Sequence, residues 1–193
     1  MSPRIPIPVV PIPIGPWEPA FSEMVTWPFR DEFVGRLLQN DLPQRIRFQN
    51  CRLWGYRDPQ GQLVGLGSLV ICCDWRELTD CKPHTYIPLL AVNPAHERRG
   101  HGSSILRHLI AEAAVLVDLA PSCSPALILD VYTASEEAIG LYRKNQFDQI
   151  AGPFPDSDAS GKEYIVMACK LSVTRLPPSS VLISGAIPPP GAS

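Results

Sequence analysis

A basic, glycine-bearing segment, Arg-Arg-Gly-His-Gly at residues 98–102, is the part of the chain best suited to chemistry. The apolar run 86–92 before it predicts a buried strand, and the apolar periodicity of 103–118 after it predicts an amphipathic helix. Glycine lets the backbone approach a ligand closely, and the first N–H groups of a helix are unpaired at the positive end of its dipole. Because Arg98 and Arg99 add full positive charge, the segment predicts a phosphate site.

Two common phosphate loops do not fit this segment. A dinucleotide-binding G-x-G-x-x-G would need a third glycine at position 105, which is Ile105. A P-loop would need Gly-Lys-Ser/Thr at its end, and the sequence has none. From these residues alone, a surface turn between a strand and a helix stays the alternative.

A second strand and helix follow about thirty residues later. The apolar, β-branched run 126–132 predicts a buried strand, and 133–136 has the pattern of a capping box at a helix start. Asn145 is suited to end that helix in a left-handed conformation. One face of the helix carries apolar and aromatic residues at i, i+3 and i+4 spacing, namely Ala138, Leu141 and Tyr142.

Together the two segments resemble the coenzyme A loop and the closing motif of the GNAT superfamily of acyltransferases. The first motif reads V-x-P and then Q/R-x-x-G-x-G/A, which Val92-Asn93-Pro94 and residues 97–102 match with Glu97 at the first position of the second part. The second often reads N-x-x-A-x-x-L-Y-x-x-x-G-F, and here Ser135 and Gln146 stand where Asn and Gly are usual. The resemblance covers roughly residues 48–170.

The resemblance implies an α/β fold in which a mixed, mostly antiparallel sheet is flanked by helices. The strands at 86–92 and 126–132 would run parallel and splay apart, and the pantetheine arm of the coenzyme would pair with backbone groups in the gap. We therefore expect the cofactor-binding residues to be Leu90, Ala91, Val92, Glu97, Arg98, Arg99, Gly100, His101, Gly102, Ser103, Ser104 and Ser135.

The same resemblance implies an N-acetyltransferase that moves an acetyl group from acetyl-coenzyme A to a primary amine by direct attack in a ternary complex. A backbone N–H near Val92 would stabilise the oxyanion, and the Tyr142 hydroxyl would protonate the leaving thiolate. His84 is the candidate side-chain base, with Tyr86 and Glu77 also on the preceding stretch, and solvent relay is the alternative. The acceptor would be a small-molecule or peptide amine, and a homodimer stays open.

Composition excludes several other function classes. The chain has 193 residues, 45% of them hydrophobic, which suits one domain with a substantial core. A net charge of −2 gives no basic field for nucleic acid or an anionic membrane. No run of eighteen apolar residues predicts a membrane span, and four prolines within residues 6–13 exclude a helical signal-peptide core. These features predict a cytoplasmic protein.

Six cysteines lie at positions 51, 72, 73, 81, 123 and 169, mostly in apolar segments that resemble strands. A reducing compartment would keep them as thiols. Cys81 and His84, with Cys72 and Cys73 upstream, lack the paired C-x-x-C spacing of zinc sites, so we expect no metal. A nucleophilic role for Cys81 or Cys123 stays open, without a companion motif for either.

The ends of the chain differ from its middle. Residues 1–19 alternate proline with isoleucine and valine and predict an extended arm, either an edge strand, a segment packed on a partner or a ligand for an aromatic groove. The domain would span 20–171, with a poorly ordered proline-rich tail at 172–193. Within the domain, the sequence predicts a helix at 30–39, a hairpin of 49–56 and 62–72 turning at 58–61, and a final strand at 163–171.

Two other functions remain open from the sequence. The altered motif residues Glu97, Ser135 and Gln146 leave open a non-catalytic acyl-coenzyme A sensor on the same fold, and the proline-rich arm leaves open an interaction module. The acceptor cannot be read from the residues. Candidates for its side of the site are Trp17, Trp27, Trp54, Trp75 and the segment 74–83.

Overall fold

The computed structural model describes residues 9–13, 27, 51–73, 83–120, 122–157 and 161–172. These residues form a mixed α/β structure, in which a sheet is combined with two α-helices and a short 3₁₀ helix at Pro94–His96. The strands are β1 Val10–Pro13, β2 Cys51–Arg57, β3 Leu63–Cys73, β4 His84–Val92, β5 Ala126–Tyr132, β6 Asp148–Pro155 and β7 Glu163–Lys170; the helices are α1 His101–Leu119 and α2 Glu136–Lys144.

The strands of the described segments form one sheet in the order β1-β2-β3-β4-β5-β7-β6. Every neighbouring pair is antiparallel except β4 and β5, which are parallel and joined through α1. The predicted fold class and the predicted parallel pair are therefore confirmed. The predicted hairpin of β2 and β3 also forms, with Asp58 Oδ1 accepting hydrogen bonds from the N–H groups of Gln60 and Gln62 in its turn.

The proline-rich arm contributes the edge strand β1, which pairs antiparallel with β2. Of the three predicted alternatives, the edge strand is thus formed at residues 10–13. Pro11 and Pro13 lack the N–H that an inner strand needs, which confines such a strand to an edge. Val10 is 60% exposed and Ile12 37% exposed, so the two prolines also make this apolar edge a poor template for another strand.

Strand β4 carries an irregularity that separates it from β5. The pairing of β3 with β4 passes from Ser68↔Leu89 to Val70↔Tyr86, so β4 has one more residue than β3 over this stretch. Pro88 lies inside this bulge and has no N–H to donate. The parallel pairing with β5 correspondingly consists of Thr85↔Leu127 and Tyr86↔Ile128. Beyond Tyr86 the two strands diverge.

Helix α1 covers one face of this sheet. Its buried residues recur at helical spacing and join side chains of β4, β5 and α2 in one core cluster. On the side of β2, the Tyr56 hydroxyl lies 2.9 Å from His108 Nδ1. Burial raises the pKa of Tyr56, and the nearby Glu112 raises it further. The phenol therefore stays protonated, and its hydrogen bond with the imidazole joins α1 to β2.

The end of α2 differs from the prediction and explains how Gln146 can stand where the family motif usually has glycine. Asn145 has an ordinary φ of −106°, and Gln146 takes the left-handed conformation, with φ 66°. The N–H of Phe147 bonds to the carbonyl of Tyr142, and that of Gln146 to the carbonyl of Arg143. This is a Schellman motif with Gln146 at the position that glycine favours, and the contact between the Tyr142 and Phe147 rings closes it.

The start of α2 is also later than predicted. The helix begins at Glu136 with Ser135 as its N-cap, and no side chain caps it, so the predicted capping box at 133–136 does not form. Strand β6 was missed, because its Gly-Pro sequence is typical of a turn and its pairing with β7 has two register shifts. The predicted helix at 30–39 and the tail beyond residue 172 lie outside the described residues.

Replacing Gln146 by glycine should stabilise the protein. A non-glycine residue in the left-handed region costs about 1 kcal/mol, and glycine removes that cost at the expense of a more flexible unfolded chain. We expect Gln146→Gly to raise the free energy of unfolding by about 0.5–1 kcal/mol in urea titrations. Asn145→Gly, one residue earlier at an ordinary φ, is the control and should not stabilise. A destabilised Gln146→Gly would show that the left-handed end of α2 is wrong.

Candidate functional site: the basic loop and the gap between β4 and β5

The segment between β4 and α1 folds back on itself before the helix begins. Asn93 Oδ1 accepts a hydrogen bond from the N–H of Ala95, and the N–H of Asn93 bonds to the carbonyl of Val64 on β3. Arg98 and Gly100 both have left-handed backbones, with φ of 60° and 88°. A left-handed residue directly before a right-handed helix turns successive N–H groups to one side, a backbone arrangement that favours anions.

The first turn of α1 is open at this point. Gly100 is its N-cap, and no side chain caps the helix. The backbone N–H groups at the start of this 19-residue helix thus keep their anion-binding capacity. Arg98 and Arg99 are exposed on the loop. Arg107, which was missed from the sequence, lies one turn on and contacts the carbonyl of Ser103 and the hydroxyl of Ser104.

A side chain at Gly102 would be crowded by its neighbours. A Cβ atom at this position would lie 3.3 Å from Leu141 Cδ2 and 3.6 Å from Val92 Cγ2. The glycine therefore lets the start of α1 approach both the end of β4 and the helix α2 that carries Tyr142. This contact joins the two motifs recognised in the sequence.

His101 lies beneath the loop, where it is 2% exposed, and it was expected among the coenzyme-binding residues. Its ring lies 6.2 Å from that of His96, and the Nδ1 atoms of both rings are buried without a hydrogen-bond partner. Burial lowers the pKa of His101, and the nearby His96 and Arg99 lower it further, against an opposing effect of Asp58. The imidazole is therefore neutral at pH 7 and supports the loop from below.

The diverging strands open a gap beside this loop. The predicted coenzyme-binding residues Leu90, Ala91 and Val92 pair on one side with Gly67, Leu66 and Gly65 of β3. Toward β5, the parallel pairing among the described residues ends at Tyr86. The carboxyl-terminal half of β4 thus faces the gap along an edge that β5 does not occupy. An extended ligand with amide groups can add to such an edge.

Tyr142 lies on α2 and was expected to act on the leaving thiolate. It is 8% exposed and packs against Phe147, with 5.8 Å between the ring centroids. Burial raises the pKa of Tyr142, and the charge of Asp130 raises it further. The phenol is therefore protonated at neutral pH and can donate a proton or a hydrogen bond.

A carboxylate in the gap was missed from the sequence. Asp130 lies on β5, and the Tyr86 hydroxyl of β4 donates a hydrogen bond to Asp130 Oδ1. The sequence did mark this residue, because Asp130 is the one charged residue in the strand Ala-Leu-Ile-Leu-Asp-Val-Tyr. A carboxylate in an otherwise apolar strand is costly to bury and is often functional.

The remaining predicted residues fall in several places. His84 is 2% exposed at the first residue of β4, where the two strands are still together, two residues before Tyr86. Glu97 is half-buried in the loop, and the half-buried Ser135 precedes α2. Trp27 and Trp54 are buried, which favours core packing over acceptor contact. Trp17, Trp75, Glu77 and residues 74–82 lie outside the described residues.

The burial of the described cysteines favours a packing role over a nucleophilic one. Cys51, Cys123 and Cys169 are buried. Burial raises the pKa of Cys169 to about 11, against a small opposing effect of a backbone hydrogen bond at Leu127. In the described ranges, no group of three or more His, Cys, Asp or Glu side chains is arranged to hold a metal ion. Within the same ranges, no helix is both long and apolar enough to span a membrane.

Comparison with known families agrees with this geometry. The family model described as the Acetyltransferase (GNAT) family matches residues 17–147, which is more than half of the chain. The chain therefore belongs to the GNAT family, and the resemblance seen in the sequence is confirmed. No curated protein matches the sequence.

Solved structures share the fold at low sequence identity. A spermidine N-acetyltransferase from Vibrio cholerae, in complex with CoA and spermine, has a TM-score of 0.63 and 13% identity, over 84% of this chain and 95% of that one. An IAA acetyltransferase from Bacillus cereus has a TM-score of 0.54 and 17% identity, over 84% and 99%. A Klebsiella pneumoniae protein provisionally described as an acyl-CoA N-acyltransferase has a TM-score of 0.58 and 21% identity, over 85% of this chain and 98% of that one.

The buried histidine below the loop predicts a pH dependence of stability. The folded-state pKa of His101 lies below its ordinary value of 6.5, so the unfolded chain takes up this proton first on acidification. Stability should therefore be intact above pH 6.5 and fall as the pH drops below it. His108, whose pKa is also lowered by burial, contributes in the same direction, against an opposing effect of Glu112.

Urea unfolding of the wild type and of His101→Gln, at pH 7.5 and pH 5.5, measures this effect. We expect the variant to lose less stability than the wild type between the two values, because glutamine does not titrate. His108→Gln is the matched comparison and should remove the part of the stability loss that comes from His108. Equal losses in the wild type and both variants would contradict the neutral, buried state of these rings.

Proposed function

We propose that this protein is an N-acetyltransferase that moves the acetyl group of acetyl-coenzyme A to a primary amine in a ternary complex. Its membership of the GNAT family supports acyl transfer. The observation that carries the proposal is the gap beyond Tyr86, because it joins an open strand edge, an uncapped helix start and a protonated tyrosine in one region.

The coenzyme binds along this region in the proposed complex. The pyrophosphate lies at the start of α1, where backbone N–H groups from Gly100 onward and the charges of Arg98 and Arg99 face it. The pantetheine arm runs along Leu90–Val92 and pairs with their backbone groups. The thioester then lies deeper in the gap, near Tyr142. Glu97, Ser103, Ser104 and Ser135 border this path, and the neutral His101 holds the loop in shape.

The chemistry follows from three needs of the reaction. A backbone N–H of β4 stabilises the oxyanion that forms when the amine attacks the thioester carbonyl. The Tyr142 hydroxyl donates to the sulfur as the carbon–sulfur bond breaks. His84 is the base named from the sequence, and its buried place at the start of β4 would need a relay to reach the amine. The protein is proposed to work in the cytoplasm without a metal.

The altered motif residues do not argue against catalysis. Gln146 replaces the usual glycine but adopts the conformation for which glycine is favoured, so the position of Tyr142 is kept. This weakens the case for a non-catalytic sensor. The alternative of an interaction module is likewise weakened at residues 10–13, because β1 is part of the sheet.

Removing the Tyr142 hydroxyl tests the catalytic proposal. The bond to the departing sulfur exists mainly in the transition state, so Tyr142→Phe should lower kcat by about 10- to 100-fold with little change in coenzyme A affinity. Phenylalanine keeps the ring contact with Phe147, so unfolding should change little. Thiol release with saturating amine, calorimetry with coenzyme A and urea unfolding measure the three quantities.

A Tyr142→Phe enzyme with wild-type kcat would remove Tyr142 from the catalytic residues. A wild-type protein that binds coenzyme A but transfers acetyl to no amine would instead support the sensor.

Charge on the loop should act on binding. Arg99 is exposed, so its contribution is screened, and Arg99→Ala should raise the KM for acetyl-coenzyme A by about 3- to 10-fold and leave kcat nearly unchanged. Lys170→Ala is the matched control, because Lys170 is an exposed cation that pairs in register with Ala126, at the opposite end of β5 from the loop side. An equal effect of both variants, or a loss confined to kcat, would contradict the placement of the pyrophosphate.

A further inference from the structure

The exposed face of α1 carries apolar side chains where a surface helix usually carries charged ones. Ala111, Val115 and Leu119 follow one another at i, i+4 spacing, so they lie in one stripe along the helix. All three are exposed, Val115 by 55% and Leu119 by 75%. The opposite face of α1 already packs in the core, so the described fold leaves this second apolar face open to a partner.

Residues of opposite charge stand at the two ends of the stripe. Arg107 lies one turn before its first residue and Asp118 lies in the last turn of α1, and both are exposed. Between them the helix has one other residue of full charge, Glu112, whose carboxylate lies 3.9 Å from the Arg52 guanidinium of β2. The stripe is thus apolar in its middle, positive at one end and negative at the other.

Asp118 does not stabilise the helix that carries it. A carboxylate in the last turn lies at the negative end of the helix dipole, where a basic residue is favourable, and α1 has no basic residue in its last turn. A second helix that runs in the opposite direction would bring the positive half of its dipole to this carboxylate. The small side chain of Ala111, near the middle of the stripe, lets two helices approach closely.

We propose that two copies of this chain form a homodimer in which the exposed faces of their α1 helices pack antiparallel about a twofold axis. The axis passes near the middle of the stripe, so each Arg107 faces Asp118 of the partner subunit, and each Ala111 faces the partner subunit's Val115. A parallel pairing would instead set like charges against each other at both ends. The inference does not depend on the proposed acetyltransferase function.

The size of the stripe sets the expected affinity. From Arg107 to Leu119 the helix is about 18 Å long. Two such helices bury less than the roughly 1,600 Å² of a typical stable interface, so we expect a weak dimer with a Kd of about 10–100 μM.

A charge in the middle of the stripe tests the surface. Sedimentation velocity of the full chain is measured over a concentration series that brackets the expected Kd. Val115→Lys should raise the Kd by about 10-fold or more, because the dimer would bury an unpaired ammonium group. Ile150→Lys is the matched control and should leave the Kd unchanged, because Ile150 is an aliphatic residue that is 45% exposed on β6, at the far edge of the sheet.

Two charge reversals test the antiparallel direction. Asp118→Arg sets cation against cation at both ends of the dimer, and Arg107→Asp sets anion against anion. Each variant alone should therefore be monomeric at concentrations where the wild type dimerises. An equimolar mixture of the two variants should dimerise again, because the mixed dimer joins opposite charges at both ends. In a parallel dimer the single reversals would cost nothing, since like charges would already face each other in the wild type.

Several outcomes would overturn the inference. These are a wild type that stays monomeric throughout the series, equal weakening by Val115→Lys and Ile150→Lys, wild-type affinity in Asp118→Arg, and a mixture of the two reversals that stays monomeric. Renewed dimerisation on mixing also shows that both reversed chains are folded, so a loss of dimer in either one alone is a loss of pairing.

Discussion

The proposed activity depends on one interrupted interaction, the short parallel pairing of β4 with β5. Two residue pairs hold these strands together, and the bulge that contains Pro88 then turns β4 away. Had the pairing continued, the backbone of Leu90–Val92 would be saturated on both sides and the sheet would have no gap. The core on the side of α1 still closes, because side chains of α1, α2, β4 and β5 belong to one core cluster and the glycine at position 102 leaves room for Leu141 of α2. The gap is thus supported by a complete core.

The same constraint places charged and polar groups where they can react. An uncapped helix start lies after the end of β4, and a carboxylate with two phenols lies near the point where the strands separate. Along β4 these regions are separated by Ile87–Val92, about 20 Å of extended chain. Such a length suits a long ligand with phosphates at one end and its reactive group at the other. The Schellman motif at the end of α2 fixes Tyr142 in this frame, even though Gln146 must adopt a left-handed backbone.

Much of this arrangement could be predicted from the sequence, where spacing and composition act locally. The basic loop, the buried strands 86–92 and 126–132 and the hairpin turn at 58–61 follow from periodicity and turn residues, and the parallel pair follows from the family resemblance. Features that depend on tertiary contacts could not be read in the same way. The left-handed residue is Gln146 rather than Asn145, because the contact between Phe147 and Tyr142 sets where the helix ends. His101 reads as a phosphate ligand but is buried under the loop. Asp130 and Pro88 carried usable signals, a charge and a proline inside apolar strands, and both mark the gap.

Amide hydrogen exchange with and without coenzyme A tests the central claim most directly. If the gap between β4 and β5 is the coenzyme site, coenzyme A should slow exchange at the amides of residues 90–92 and 100–104. The amides of β6, at the far edge of the sheet, should exchange at unchanged rates. Unchanged exchange at both segments under saturating coenzyme A, or protection elsewhere on the sheet alone, would contradict the account.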